Sequence, residues 1–406
     1  MRCIGPPVAP GARPAAGHDV VVRPTNSVFR RLGTTVFEEM SQLAAAHQAI
    51  NLGQGFPDDR GPDVLLRCAA EALLTGSNQY PSMWGLPVLR QAIAAHEQRF
   101  YGLEVDWRSQ VLVTSGATEA LAACLLALLE PGDEVVLFQP AYDAYAPLVR
   151  RAGGTPRFVT LSPPAWRLEE ADLAAAFNEK TRAVILNNPL NPAGKVFEAT
   201  ELDLLAGWIE GYDAVAICDE VYEHIIYGGG THLPFFARSG MAARSLKIGS
   251  AGKTFSLTGW KVGMVVGHAE LLQQVAKAHQ FLTFTTPPNL QAAVALGLGL
   301  PDEYFAGLAR EMERRRDRLA SGLAGLGFDV LPARGTYFLN MDVRSTGFTG
   351  SDVDYCHHLI ERVGVAAIPV SAFFESSPVS HLVRFCFAKQ DAVIDEAIQR
   401  LTAAYR

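Results

Sequence analysis

In the first two thirds of the chain the apolar positions fall into short runs separated by helix-length stretches. Val111 to Thr114, Glu134 to Phe138, Thr155 to Thr160, Arg182 to Asn187, Ala214 to Cys218 and Ser245 to Gly249 read as strands. Ala120 to Leu129, Tyr145 to Ala152, Leu168 to Phe177 and Glu201 to Gly211 read as helices between them. Strands and helices that alternate at this spacing predict a mostly parallel sheet covered on both faces. A ligand site is then expected at the carboxyl ends of the strands.

Around this centre, the spacing of Val36, Met40 and Leu43 predicts an amphipathic helix within Val28 to Ala46, and Asp63 to Leu74 and Pro87 to Tyr101 read as two more. Helices follow near Ala269 to Leu282 and Asn289 to Leu300. The arginine- and glutamate-rich stretch Tyr304 to Leu326 reads as a solvated helix joining two domains. A smaller α+β unit closes the chain, with strands at Tyr337 to Asp342, Val365 to Pro369 and Leu382 to Phe387 and a helix at Val353 to Val363. Residues 1–26 are rich in Pro, Gly and Ala without apolar period and are expected to be a disordered tail. The expected organisation is therefore a tail over 1–26, an N-terminal segment over 27–56 packing with the small domain, a large domain over 57–300 and a small domain over 301–406.

Composition narrows the class. With 406 residues, 49% hydrophobic and 19% charged, the chain has the make-up of a two-domain soluble enzyme, and a net charge of −7 argues against a nucleic-acid partner. No apolar run approaches the ~20 residues of a membrane span. Six cysteines lie scattered without paired spacing, several inside apolar runs, so reduced buried thiols in a cytoplasmic protein are expected, with no metal site.

The chemistry gathers where strands end. Lys253 follows the strand Ser245 to Gly249 among Ser250, Gly252, Thr254 and Ser256, with Lys261 eight residues on. A surface lysine is the bland alternative. Small neighbours admit close approach, and a nearby cation with partial desolvation lowers an amine's pKa enough to make it a nucleophile. Asp219 ends an apolar strand, where an unpaired charge is costly, so it should meet a cation, cap a helix or pair with an arginine. Arg384, within Val383-Arg-Phe-Cys-Phe387, wants a carboxylate fork, either a ligand's or a structural salt bridge. Ser115-Gly-Ala-Thr-Glu, between a strand and a helix, offers backbone N–H groups to an anion or is a plain turn. Gly53-Gln-Gly55, the Asn-Pro turns of 188–192 and the loop tyrosines Tyr80 and Tyr142 each have a turn or packing reading as well.

Taken together, Ser250-Ala-Gly-Lys253 through Lys261, Asp219-Glu-Val-Tyr222, Asn187-Asn-Pro-Leu-Asn191 and Arg384 resemble the class I/II aminotransferases, pyridoxal-phosphate enzymes of fold type I. The likeness runs from about Val28 to the C-terminus and is nearest to kynurenine/glutamine, methionine and N-succinyldiaminopimelate aminotransferases. It implies an α/β fold with a seven-stranded, mostly parallel sheet in the cofactor-binding large domain and a smaller α+β domain. It also implies that Lys253 joins pyridoxal 5′-phosphate covalently and moves the substrate's proton. By the same likeness Asp219 holds the ring nitrogen, Asn191 and Tyr222 the phenolic oxygen, Tyr142 the ring face, and Ala117, Thr118, Ser250 and Lys261 the phosphate. Gly55, Asn191 and Arg384 would meet the substrate α-carboxylate. Tyr80 would reach the cofactor phosphate of a second subunit, implying a homodimer with shared sites. The partners so implied are an amino acid and a 2-oxo acid.

Two departures bear on the side chain accepted: Ala141 stands where those relatives often have phenylalanine, and Phe37 near a position often held by tryptophan. With no arginine or lysine in Leu52 to Asp58, Asn78 to Gly85, Gln139 to Tyr145 and Phe281 to Pro288, the side-chain pocket is expected to be apolar to neutral, lined by Leu52, Phe56, Tyr80, Trp84 and Phe284. A β-lyase on the same fold and a catalytically silent pyridoxal-phosphate regulator stand as alternatives. Ser250-Ala-Gly-Lys253 also satisfies S-x-x-K, the serine-nucleophile motif of penicillin-binding proteins, but its companions S-D-N and K-T-G are absent.

Overall fold

In the computed structural model, which describes residues 25–406, Thr34–Arg406 form one compact unit, and the short helix Ser27–Arg30 belongs to a separate one. The expected tail, residues 1–26, lies outside the described residues but for its last two.

The central sheet has seven strands, in the order Val111–Thr114, Gly263–Gly267, Ser245–Ser250, Val215–Asp219, Thr181–Asn187, Glu134–Gln139 and Thr155–Thr160. All neighbours are parallel except Gly263–Gly267, which runs antiparallel to both its neighbours. Val111–Thr114, Val215–Asp219 and Gly263–Gly267 are buried along their whole length because helices cover both faces, so they show apolar runs instead of alternation. One face packs against Ala117–Leu128 and Ala269–Leu282, and Pro87–Tyr101 and Pro288–Leu298 cover part of the other. Register decides where the polar ends fall. Asn187 pairs with Asp219 and Asp219 with Ile248, while Thr114 and Ser250 both pair with Gly263, so the ends of adjacent strands form one row.

A second, antiparallel sheet orders Ile368–Pro369, Leu382–Cys386, Phe338–Asp342 and Asp329–Val330. Arg384 lies in its second strand, paired with Asn340 and Ile368. Met40 and Ala44 of the helix Val36–Ala46 bury into the core beside this sheet, and Ile50–Asn51 pairs in parallel with Val365–Ala366.

Three segments differ from expectation. Val28 to Ala46 is not one helix: it breaks before Val36, where Thr35 accepts from Glu38 N through its hydroxyl at 3.3 Å and starts a new one. Val365 to Pro369 is not one strand either. Its halves, Val365–Ala366 and Ile368–Pro369, serve different sheets. The long helix Asp302–Ala324 is amphipathic rather than solvated, burying Phe305, Met312, Leu319 and Leu323. Arg315 goes in with them, held by Asp59 at 2.8 Å and Glu311 at 2.9 Å. Cys68, Cys124, Cys218, Cys356 and Cys386 are free thiols, all but Cys68 buried; Cys3 lies outside the described residues. No described helix is long and apolar enough to cross a membrane.

Candidate active site

The row of strand ends opens into a cavity of about 460 Å³ between the two sheets. Lys253, Asp219, Tyr222, Tyr142, Asn191, Ala117, Thr118, Ser250, Lys261, Gly55 and Arg384 all line it. Of the expected site residues, Tyr80 alone does not: it is 83% exposed, its ring edge-on to Phe284 at 5.6 Å. The five side chains expected around the substrate are elsewhere too. Leu52 is in the core, Phe56 sits by Lys389, and Trp84 stacks on Arg90. Phe37, Leu121, Val221 and Phe338 supply the apolar lining instead.

Lys253 stands on the helical turn Ala251–Thr254 that follows the strand Ser245–Ser250. Its Nζ donates to the Tyr337 hydroxyl at 2.6 Å and has Gly55 O at 3.5 Å. Burial pulls its pKa down to about 8, and the nearby cations Arg384 and Lys261 add to the effect against Asp219. Without a carboxylate at bonding distance, the amine has little to hold its proton.

Asp219 is buried, and burial raises its pKa. Its Oδ2 accepts from the Tyr145 hydroxyl at 2.5 Å, while Oδ1 has no partner at all. Among the described residues no arginine pairs with it. A buried carboxylate oxygen without a donor is costly, and a protonated ring nitrogen in the cavity would remove that cost.

Arg384 is equally incomplete. It is 1% exposed and forms no salt bridge among the described residues. Nη1 donates to Asn191 Oδ1 and Nη2 to Gly53 O, both at 2.9 Å, while Nε has no partner. Phe338 stacks 3.9 Å from the guanidinium, with Phe373 and Phe37 at 5.1 and 5.3 Å. Burial pulls its pKa down to about 10, as expected of a cation waiting for a carboxylate. Gly55 keeps the approach open, since a Cβ there would stand 2.8 Å from the Phe338 ring.

At the other end of the cavity the helix Ala117–Leu128 starts at Gly116, φ +82°, with no side chain capping its N-terminus. A Cβ on Gly116 would come within 3.3 Å of Lys261 Cε, and one on Gly263 within 2.9 Å of Ala117 N, so both positions call for glycine. Free N–H groups beside Lys261 and Ser250 make an anion cradle. Asn187, which sequence reading passed over, accepts from Asn191 N through Oδ1 at 2.8 Å and donates to Asp219 O at 2.9 Å. Its signal was its place at a strand end; Tyr145, three residues past Tyr142, opens the helix Tyr145–Arg151. Tyr337 and Phe338 carried no such signal.

An uncapped helix start with a lysine, an orphaned buried carboxylate oxygen, a lysine of lowered pKa and a buried arginine without a salt bridge line one cavity, and they could hold an anion, a cationic ring and a carboxylate. Comparison with known proteins agrees. The family aminotransferase class I and II matches residues 47–401. The probable N-succinyldiaminopimelate aminotransferase DapC of Mycobacterium tuberculosis is 46% identical over 93% of this chain and 98% of its own length. The solved structure of N-succinyldiaminopimelate aminotransferase from that organism superposes with a TM-score of 0.91, over 94% of this chain and all of that one. The methionine aminotransferase of Escherichia coli is 42% identical over 92% of this chain and 97% of its own length, and rat kynurenine–oxoglutarate transaminase 1 is 37% identical over 89% and 94%. The chain belongs to the class I and II aminotransferases. It is a fold type I enzyme whose cofactor is pyridoxal 5′-phosphate.

Proposed function

We propose that this aminotransferase moves the amino group of a neutral or aromatic L-amino acid to a 2-oxo acid, in two alternating half-reactions. The observation that carries the substrate class is the inventory of cations in the cavity: Lys253, Lys261 and Arg384 are the only ones among the described residues. Each has a task, covalent capture, the phosphate and the α-carboxylate, so none is left for a distal carboxylate. Asp143, which also lines the cavity, adds a negative charge. Desolvating an unpaired carboxylate there costs several kcal/mol, on the order of the penalty for any unpaired buried charge.

Pyridoxal phosphate, when bound, supplies an aldehyde that captures amino groups and a ring that withdraws electrons from Cα. The chain's own residues do the rest. Arg384, fixed by Asn191 and Gly53 and backed by Phe338, grips the α-carboxylate. Lys253, whose pKa burial lowers to about 8, takes the Cα proton on Nζ in its free-amine form and returns it. Asp219 would hold a protonated ring nitrogen through Oδ1, with Tyr145 donating to Oδ2. Tyr222 and Asn191 would hold the phenolic oxygen, Tyr142 would lie against the ring, and Ala117, Thr118, Ser250 and Lys261 would take the phosphate.

The same reading makes the enzyme a cytoplasmic homodimer whose Tyr80 serves the neighbouring site. Exposed Tyr80, Phe281 and Phe284 support a second copy, and free thiols support the compartment. Residues 57–300 and 301–406 are read as the two domains, each built on its own sheet. The identity to DapC favours a second reading, an N-succinyldiaminopimelate-type substrate. Measuring kcat/KM for methionine, glutamine, phenylalanine, kynurenine, aspartate and N-succinyldiaminopimelate with one common acceptor decides between them. A neutral or aromatic donor should lead. Aspartate in front would overturn the neutral pocket, and N-succinyldiaminopimelate in front would establish the second reading.

A further inference from the structure

Tyr337 lies just outside the cavity lining and was not singled out by sequence, yet it makes the shortest contact of Lys253. Its ring is buried, edge-on to Tyr222 at 5.2 Å and to Phe338 at 4.8 Å. Its hydroxyl lies 2.7 Å from Gly55 O and 2.6 Å from Lys253 Nζ. A phenol has one proton, and a carbonyl only accepts. In this arrangement the hydroxyl donates to Gly55 O, and the phenol oxygen faces Lys253 Nζ as an acceptor.

The second acceptor near Nζ is the same Gly55 carbonyl, at 3.5 Å. Both acceptors therefore lie on one side of the amine. A neutral amine that turns its N–H bonds toward them points its lone pair the other way, into the cavity. We propose that Tyr337, locked by Gly55, is a positioning residue that holds the free amine of Lys253 with its lone pair aimed at the reacting carbon whenever that amine is released. The inference rests on the role given to Lys253 and is independent of which amino acid is the substrate.

Tyr337→Phe removes one oxygen and keeps the ring. Cofactor-free wild type and variant are treated with a small amine-acylating reagent over a pH series, and modification of Lys253 is counted by peptide mass spectrometry. Capture of added pyridoxal 5′-phosphate is then followed by absorbance and by borohydride trapping. In the variant the modification midpoint should fall to lower pH, because the ammonium has lost an acceptor, and capture should slow about tenfold, the scale of one hydrogen bond to a charged group. 3-Fluorotyrosine at position 337 keeps the fold and weakens the acceptor, so the midpoint should move in the same direction by less. Wild-type midpoints and capture rates in both proteins would make Tyr337 a packing residue only. If borohydride traps the cofactor on a lysine other than Lys253, the role of Lys253 falls, and this inference with it.

Discussion

Two lysines, Lys247 buried and Lys253 part-buried, stand six residues apart on one strand and the turn after it, and they have opposite fates. Lys247 points to the face covered by Pro87–Tyr101, where Glu97 holds its Nζ at 2.5 Å and Glu223 at 2.7 Å. Burial alone would lower its pKa; the two carboxylates outweigh burial and raise it. Glu223 also accepts from the Tyr101 hydroxyl at 2.7 Å. Next to it, Nε2 of His96 meets Nε2 of His224 at 2.8 Å, so the cluster of His96, Glu223 and His224, which has metal-ligand spacing, is satisfied from within. Burial keeps both rings neutral, with pKa values lowered to about 3 and about 4. Lys253, part-buried on the cavity wall, has no carboxylate at bonding distance, and desolvation lowers its pKa to about 8. What separates the two amines is the pair of carboxylates that Lys247 has and Lys253 lacks.

The comparison breaks most sharply at Lys253. Lys253→Ala should lower turnover on the order of 10⁴-fold or more and abolish the visible cofactor band while the melting curve stays close to wild type, because the residue carries chemistry rather than an ion pair. Steady-state rates with absorption spectra check it, and near-wild-type turnover would sink the assignment of the central lysine.

Lys247→Met should do the reverse. Removing the cation strands Glu97 and Glu223 in the core, and such a break costs about 3–5 kcal/mol. Denaturant titration should show that loss, with kcat per folded molecule little changed.

The smallest effect is in the pH dependence of stability, and it has opposite sign for the two residues. For cofactor-free protein, Lys253 has a folded pKa of about 8 against an ordinary 10.5, so between those values the unfolded chain binds more protons and stability rises with pH. At ~1.4 kcal/mol per pH unit the gain is at most about 3 kcal/mol. Lys247, with its raised folded pKa, contributes stability that is full below its ordinary 10.5 and is lost above it. Chemical unfolding of wild type and Lys253→Met across this range should show the wild-type advantage growing with pH, and a flat difference would mean that the amine is not desolvated.

Much of this was legible in the chain. The buried strands announced the sheet because a sheet covered on both faces needs unbroken apolar runs, and Lys253, Asp219 and Arg384 stood out because charged residues inside or at the end of such runs need a partner. Gly53-Gln-Gly55 and the Asn-Pro turns of 188–192 were legible as turns, and only the family resemblance gave Gly55 and Asn191 a ligand. These are local signals, readable from neighbours within a few positions.

What tertiary structure alone decided depends on distance along the chain. That Lys247 is neutralised and Lys253 is not follows from Glu97 and Glu223, brought in from a helix and a loop far away in sequence. That Tyr337 touches Lys253, that Phe338 stacks on Arg384 and that Phe37 replaces the expected Trp84 and Phe56 in the cavity follow from how the second sheet and the helix Val36–Ala46 close over the strand ends. Sequence periodicity specifies which face of an element is buried, and only packing specifies against what. The pKa of a buried group is set by the latter.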